Sequence, residues 1–114
     1  MGTLHHFHDL KRRAQSPTYF SRTELNQLLS LYSRRVASGE WRDYAIDQQA
    51  GMAVFSVYRH THDRPLFSIA KRRSPSGRNR EFVVFSGWER LTRATTMNEA
   101  LTVFDREPTL VTVG

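Results

Sequence analysis

The spacing of the hydrophobic residues changes at Gly39 from the three- and four-residue spacing of a helix to the two-residue spacing of strands. No other feature of the sequence constrains the possible folds as strongly. Ser21 followed three residues later by Glu24 is typical of a capping box at the start of a helix. The next apolar residues recur at the three- and four-residue spacing of one helical face, namely Leu25, Leu28, Leu29, Tyr32 and Val36. We therefore predict a helix over 22–38 that Gly39 ends. After Gly39 apolar and polar residues alternate, which indicates strands.

Four or five strands and a second helix are predicted after Gly39. Alternation and turn residues place the strands at 41–48, 52–59, 66–72, 82–86 and, as the fifth, 88–93. Thr96 followed by Glu99 predicts the start of the second helix, which Pro108 prevents from continuing. The order predicts an α+β domain: an N-terminal helix, an antiparallel meander and a C-terminal helix, with both helices on one face of the sheet. Its expected core includes Phe55, Phe67 and Phe104.

The length of 114 residues corresponds to one domain. Residues 1–17 lack apolar periodicity and are expected to be a flexible arm, 18–110 the α+β domain and 111–114 a tail. The absence of cysteine excludes disulfides and thiolate metal sites, and it fits a cytoplasmic protein. No apolar run approaches the roughly 18 residues that span a bilayer, so we expect no membrane association.

Positive charge is concentrated in one part of the sequence. The chain has 17 Lys and Arg against 11 Asp and Glu, and Lys11 and Lys71 are its only lysines. The stretch 59–80 has seven basic residues and one acidic residue, which equals the whole net charge of +6. Arginine pairs with phosphate in a bidentate manner and stacks on bases, although genomic codon bias also raises the arginine content.

The segment KRRSPSGRNR (71–80) is expected to form a basic hairpin. Such a hairpin can follow phosphates, which makes nucleic acid or a nucleoprotein such as the ribosome the expected partner. The predicted nucleic-acid-binding residues are Arg59, Lys71, Arg72, Arg73, Arg78 and Arg80. A solvated loop that keeps the protein soluble would have the same composition.

Aromatic residues provide a second binding hypothesis. On the sheet face away from the helices, Tyr58 with Arg59 or Lys71, and with Arg90 and Trp88, would make a stacking platform for single-stranded bases. The alternative function is a protein-interaction module, either an accessory or regulatory subunit or a homodimer that uses an open strand edge or a tryptophan patch. The candidate interface residues are Trp41, Tyr58 and Trp88, each of which can instead belong to the core.

The polar residues form no catalytic pattern. Nucleophile-elbow, Walker and dinucleotide-binding motifs are absent, and strand geometry separates Asp43 from Asp47 by roughly 13 Å, too far for a carboxylate pair. His60, His62 and Asp63 are residue types that could ligate a metal, but a polar hairpin turn explains them and is the interpretation we favour. We therefore expect no enzyme activity, cofactor or metal.

Several blocks of the sequence resemble a known family. The most specific are GEWRDYAID (39–47) and AVFSVYR (53–59). Further matching positions are Phe20, Glu24, Leu25, Val36, Ala37, Pro65, Leu66, Phe67, Ile69, Lys71, Arg72, Leu101, Val103, Phe104 and Asp105. Together they resemble the small alphaproteobacterial proteins grouped as domain of unknown function 2794. The resemblance implies a cytosolic accessory protein of bacteria and carries over no catalytic residue.

Overall fold

A computed structural model of the chain describes residues 17–60 and 64–105. Within these residues one helix precedes and one helix follows five consecutive strands. The elements are α1 (Arg22–Ala37), β1 (Asp43–Gln49), β2 (Met52–Tyr58), β3 (Phe67–Arg73), β4 (Arg80–Ser86), β5 (Glu89–Ala94) and α2 (Met97–Asp105). The predicted α+β order is confirmed, with five strands rather than four.

The predicted capping box begins α1. The Ser21 N–H donates to Glu24 Oε1 (2.8 Å), and the Glu24 N–H donates to Ser21 Oγ (3.1 Å). These two bonds satisfy N–H groups that have no partner within the helix. After Ala37 the chain turns at Gly39, whose φ of 83° is a conformation that favours glycine.

The inward face of α1 differs from the predicted one near its C-terminal end. Leu28 and Leu31 are buried, whereas Val36 is exposed. Arg35 takes the inward position there, since its guanidinium lies over the rings of Trp41 (5.7 Å) and Phe104 (5.8 Å). It also donates to the Phe104 carbonyl (2.5 Å), so a cation covers the core where a valine was expected.

The five strands form one antiparallel sheet in the order β1-β2-β3-β4-β5. Each strand pairs with its neighbour in sequence, as a meander requires. A register shift between Val84 and Phe85 places a bulge between β4 and β5. Because side chains alternate between the two faces of a strand, the register assigns every strand residue to one face.

Both helices pack on one face of the sheet and close a single core with it. Ala53, Phe55 and Val57 of β2 point into this core with Ile69 of β3, and the remaining core residues include Leu28, Leu31, Trp41, Phe82, Val84, Met97, Ala100 and Phe104. Phe55 and Phe104 are buried as predicted, and Phe67 is half-buried against them. The opposite side of the sheet, on which neither helix packs, is called the open face below.

Candidate nucleic-acid interface

The β3–β4 hairpin ends in a six-residue loop that is organised by its own hydrogen bonds. The Ser74 N–H donates to the Asn79 carbonyl (2.7 Å), and the Gly77 N–H donates to the Ser74 carbonyl (2.8 Å). Gly77 has a φ of 78°, which a residue with a side chain rarely adopts. The loop is therefore held in a defined turn, and it fixes the positions of the arginines on both sides.

Three arginines lie at this end of the sheet without an acidic partner in the described parts of the chain. Arg73 and Arg80 pair across the hairpin, and Arg78 lies in the loop between them. Arg73 and Arg78 are exposed and Arg80 is half-buried. We call these three residues the basic hairpin end. Three guanidinium groups at one end of the sheet with no acidic partner in the described residues favour an anionic ligand.

Lys71 is one of the predicted nucleic-acid-binding residues, but its side chain points to α1 on the helix-bearing face of the sheet and is paired there. Its Nζ donates to Glu24 Oε1 (2.7 Å) and to the Tyr19 carbonyl (2.9 Å), and only 12% of its side chain is exposed. Burial alone would raise the pKa of Glu24, but hydrogen bonds from Lys71 and Ser21 and the charge of Lys71 hold it below its ordinary value. Lys71 thus ties the start of α1 to the sheet.

Arg72 lies on the open face and is also paired. Its Nε donates to Glu81 Oε2 (2.7 Å), while Arg93 Nε lies 3.8 Å from Glu81 Oε1. The Glu81 side chain is buried between these two guanidinium groups. This open-face cluster has two positive charges and one negative charge, so it adds one positive charge beside the basic hairpin end.

Arg59 lies at the other end of the sheet from the basic hairpin end. It follows β2, whose first residues pair with the end of β3, since Ala53 is opposite Lys71. A seven-residue strand is about 20 Å long, which separates Arg59 from Arg73. The neighbour of Arg59 is Glu40: burial raises the pKa of Glu40, but hydrogen bonds from Ser38 and Arg35 and the charges of Arg35 and Arg59 hold it below its ordinary value.

A groove crosses the open face, on which Arg72 and Arg93 also lie, whereas Arg73 and Arg80 lie on the helix-bearing face with Lys71. Val54, Ser56 and Ala70 line it from the centre of the sheet, and Tyr58, Phe85 and Trp88 provide its aromatic walls. Its volume is about 340 Å³. We call it the open-face groove.

Charged residues of opposite sign border the open-face groove. Arg90 of β5 pairs with Phe85 on one side, and Asp47 of β1 lines the opposite wall. Trp88 is 90% exposed and Tyr58 is half-buried, so both rings can be reached from solvent. Of the predicted stacking platform, Tyr58, Trp88 and Arg90 are therefore present on this face, whereas Lys71 lies on the helix-bearing face and Arg59 lies beyond the end of β2.

Trp41, the third candidate interface residue, belongs to the core. Only 2% of it is exposed, and its ring packs edge-on against Phe104 (5.6 Å) and near Phe67 (6.1 Å). A buried ring cannot contact a partner directly, so Trp41 is removed from the candidate interface. Its position after Gly39 explains the burial, because the chain passes there from the end of α1 to the start of β1.

Phe85, Glu81 and Arg93 are parts of the site that the sequence reasoning did not identify. Part of the site could have been predicted: Glu81, Val83 and Phe85 are every second residue of β4 and therefore share the open face. Arg93 could not be placed from alternation, because the bulge at Val84/Phe85 shifts the register of β5 by one residue.

The metal hypothesis falls mainly on residues that the structure does not describe. His60 is exposed, and His62 and Asp63 lie outside the described residues. Within 17–60 and 64–105 no group of three or more His, Asp or Glu side chains is arranged to hold a metal ion. Over the same ranges, neither helix has the length and apolar character needed to cross a membrane.

Comparison with known proteins identifies the family. No curated protein and no solved structure matches the chain. A family model described as "Protein of unknown function (DUF2794)" matches residues 18–99, which include α1, the whole sheet and the start of α2. The resemblance seen in the sequence is thereby confirmed, and the chain belongs to the DUF2794 family of proteins of unknown function.

Proposed function

We propose that the protein binds single-stranded nucleic acid, either free or exposed on a nucleoprotein such as the ribosome. In this proposal the basic hairpin end contacts phosphates and the open-face groove receives bases. The function is binding, without a catalytic step. The observation that carries it is the grouping of Arg73, Arg78 and Arg80 at one end of the sheet without an acidic partner in the described residues.

The hairpin loop supports phosphate binding because it is ordered before any ligand arrives. Ser74 and Gly77 hold the turn by backbone hydrogen bonds, so the backbone positions of the arginines beside it are set relative to one another. Arg73 has a weak 3.5 Å bond to the Gly77 carbonyl, which a phosphate oxygen can replace. A guanidinium that exchanges a weak neutral acceptor for an anionic one gains a stronger hydrogen bond.

The open-face groove supports single strands over duplexes. Tyr58, Phe85 and Trp88 present ring faces and edges that only an unpaired base can reach. The groove runs from Trp88 to Met52, and Met52 is at the same end of the sheet as Arg73 because Ala53 pairs with Lys71. The register places Arg73 and Arg80 on the helix-bearing face, so one strand contacts both the groove and the basic hairpin end only if it passes over this end of the sheet. Asp47 on the far wall favours phosphates on the β5 side, near Arg90.

The proposal is tested by fluorescence anisotropy with labelled oligonucleotides at several salt concentrations. The unmodified protein should bind a mixed-sequence single-stranded RNA or DNA more tightly than a duplex, with an affinity that falls as salt rises. Changing Arg73, Arg78 and Arg80 to Gln removes three phosphate contacts. The slope of log affinity against log salt should then fall in magnitude by about 2 units for a single strand.

The control changes Arg34, Arg42 and Arg59 to Gln, because these are exposed arginines in the last turn of α1, just before β1 and just after β2. It removes the same net charge far from the hairpin, so the slope should stay close to that of the unmodified protein. An equal loss in both triple variants would show a general charge effect and contradict the proposed site. Absence of salt-dependent binding by the unmodified protein would overturn the proposed function.

A further inference from the structure

The outer edge of β1 has backbone groups that no strand of the described chain uses. β1 is an edge strand, and its turn to β2 has two central residues, Ala50 and Gly51, both with positive φ. In such a hairpin Gln49 and Met52 are the closing hydrogen-bonded pair, so the N–H and C=O groups of every second residue of β1 face outward. They belong to Tyr44, Ile46 and Gln48. The Tyr44 N–H agrees with this, since it donates to Asp43 Oδ1 (2.8 Å).

Large apolar side chains are exposed along the same edge. Tyr44 is 39% exposed and Ile46 is 47% exposed, although both point to the helix-bearing face of the sheet. Next to Ile46 lies an apolar cavity of about 230 Å³, lined by Tyr19, Phe20, Leu25, Gln48 and Ala53. Exposed apolar groups beside unpaired backbone make β1 a template for another strand.

The two edges of the sheet differ in protection. β5, the opposite edge, has a bulge, the exposed charged residues Glu89, Arg90 and Arg93, and α2 packed against it. Such features hinder pairing with another strand. β1 has two exposed charged residues, Asp43 and Asp47, but no bulge within its seven paired residues and no proline or lysine.

We propose that β1 pairs antiparallel with β1 of a second copy of this chain, with Ile46 opposite Ile46 on a two-fold axis. The pairing gives a continuous ten-stranded sheet. If the axis is perpendicular to the sheet, the helices of both copies lie on the same side of it. Each β1 residue is then opposite a residue whose side chain points to the same face. The outward N–H and C=O groups of Ile46 then bond to those of Ile46 in the other copy. Those of Tyr44 bond in the same way to Gln48 of the other copy.

The charges of β1 select this register over its neighbours. With Ile46 on the axis, Asp47 faces Ala45 and Asp43 faces Gln49 of the other copy. Moving the axis by one residue to Ala45 places Asp43 opposite Asp47, and moving it to Asp47 places that residue opposite itself. Like charges directly opposite are destabilising, so both neighbouring registers are disfavoured.

The register centred on Ile46 also covers the exposed apolar groups. Tyr44 of the second copy lies opposite Gln48, which lines the cavity beside Ile46. Its ring and the second Ile46 then lie at the mouth of that cavity and remove apolar surface from water.

Single cysteines test the register directly, because the chain has no native cysteine. An antiparallel hydrogen-bonded pair separates the two Cα atoms at position 46 by about 5.5 Å, within the range of a disulfide. Ile46→Cys should therefore form a covalent dimer under mild oxidation. Gln49→Cys is the control on the same strand, since the two copies of residue 49 would be about 20 Å apart. Equal cross-linking of the two variants, or none by Ile46→Cys, would overturn the register and the proposal.

Sedimentation of the cysteine-free chain over a range of concentrations provides the second test. The unmodified protein should reach a dimer, and Ile46→Lys should raise the dimer dissociation constant by about tenfold or more, because two like charges would meet on the axis. Ile46 is half exposed, so circular dichroism should show that this variant stays folded. Trp88→Ala should leave the dimer intact. A monomer at every concentration, or a dimer that Ile46→Lys does not weaken, would contradict the proposal.

Discussion

Trp41 and Trp88 are chemically identical side chains with opposite roles, and a matched pair of variants separates them. Trp41→Ala should lower the free energy of unfolding by about 3 to 5 kcal/mol, because it empties a site between Phe67 and Phe104. Trp88→Ala should change it by no more than about 0.5 kcal/mol, because that ring is exposed. Urea denaturation measures both changes. Similar effects of the two substitutions would contradict the assignment of Trp41 to the core and Trp88 to the surface.

Ala50 is the one non-glycine residue with positive φ in the described chain, at 53°. It occupies the first central position of the β1–β2 turn, where asparagine adopts this conformation more easily than alanine. Ala50→Asn should therefore raise the free energy of unfolding by about 0.5 to 1 kcal/mol. Chemical denaturation checks the gain, with Ala37→Asn in α1 as a control that should not stabilise the protein. A loss of stability in Ala50→Asn would argue against a turn of this type.

The Glu24–Lys71 pair predicts a specific dependence of stability on pH. The pKa of Glu24 is lowered in the folded chain from its ordinary 4.5, so the pair stabilises the fold above that pH and loses its effect as pH falls through the folded pKa. Lys71→Met should cost about 1.5 to 3 kcal/mol at pH 7, because it leaves the Glu24 carboxylate without its cation.

Unfolding free energies at several pH values test this pair. The gap between Lys71→Met and the unmodified protein should narrow as pH falls below about 4.5. Arg78→Gln is the control, since Arg78 has no ion pair in the described chain and its loss should change stability by no more than about 0.5 kcal/mol. A gap that stays constant at low pH would contradict the role given to Lys71.

At the scale of elements, local sequence signals located each helix and strand of the described residues but not every boundary or face. The capping residues Ser21 and Glu24 fixed the start of α1, and the change of period at Gly39 fixed the start of the sheet. The sequence could not predict that Arg35 would point inward, because its guanidinium lies over the rings of Trp41 and Phe104, which are outside α1. Long-range packing overrides a helical pattern in such places.

The short helix α2 depends on its first turn. It has nine residues, and Thr96 is the residue just before it. The Glu99 N–H in the first turn donates to Thr96 Oγ1 (3.1 Å). Thr96→Ala should lower the free energy of unfolding by about 1 kcal/mol, as measured by thermal or urea denaturation. Thr102→Ala is the control, since Thr102 is exposed within the helix and should have an effect below about 0.5 kcal/mol. Equal effects would show that the cap contributes no specific stability.

At the scale of the whole molecule, the meander divides a charge cluster that is continuous in sequence. The basic stretch 59–80 begins at one end of the sheet and finishes at the other, because β3 runs the full length of the sheet between Arg59 and Arg73. Net charge could be counted from the sequence, but ion pairing could not. Lys71 and Arg72 have their acidic partners on α1 and on the opposite strand, which leaves Arg73, Arg78 and Arg80 as the basic hairpin end. Composition therefore predicted a basic surface, and topology reduced it to three residues.

A titration of the isotopically labelled chain with a single-stranded oligonucleotide tests the central claim most directly, because it reports every amide at once. Chemical-shift changes should concentrate at residues 73–80 and in the open-face groove at Tyr58, Phe85 and Trp88, and they should diminish as salt is added. The amides of α1 and the outer edge of β1 should stay unchanged. Shifts confined to α1 or β1, or no shifts at low salt, would contradict nucleic-acid binding at the basic hairpin end.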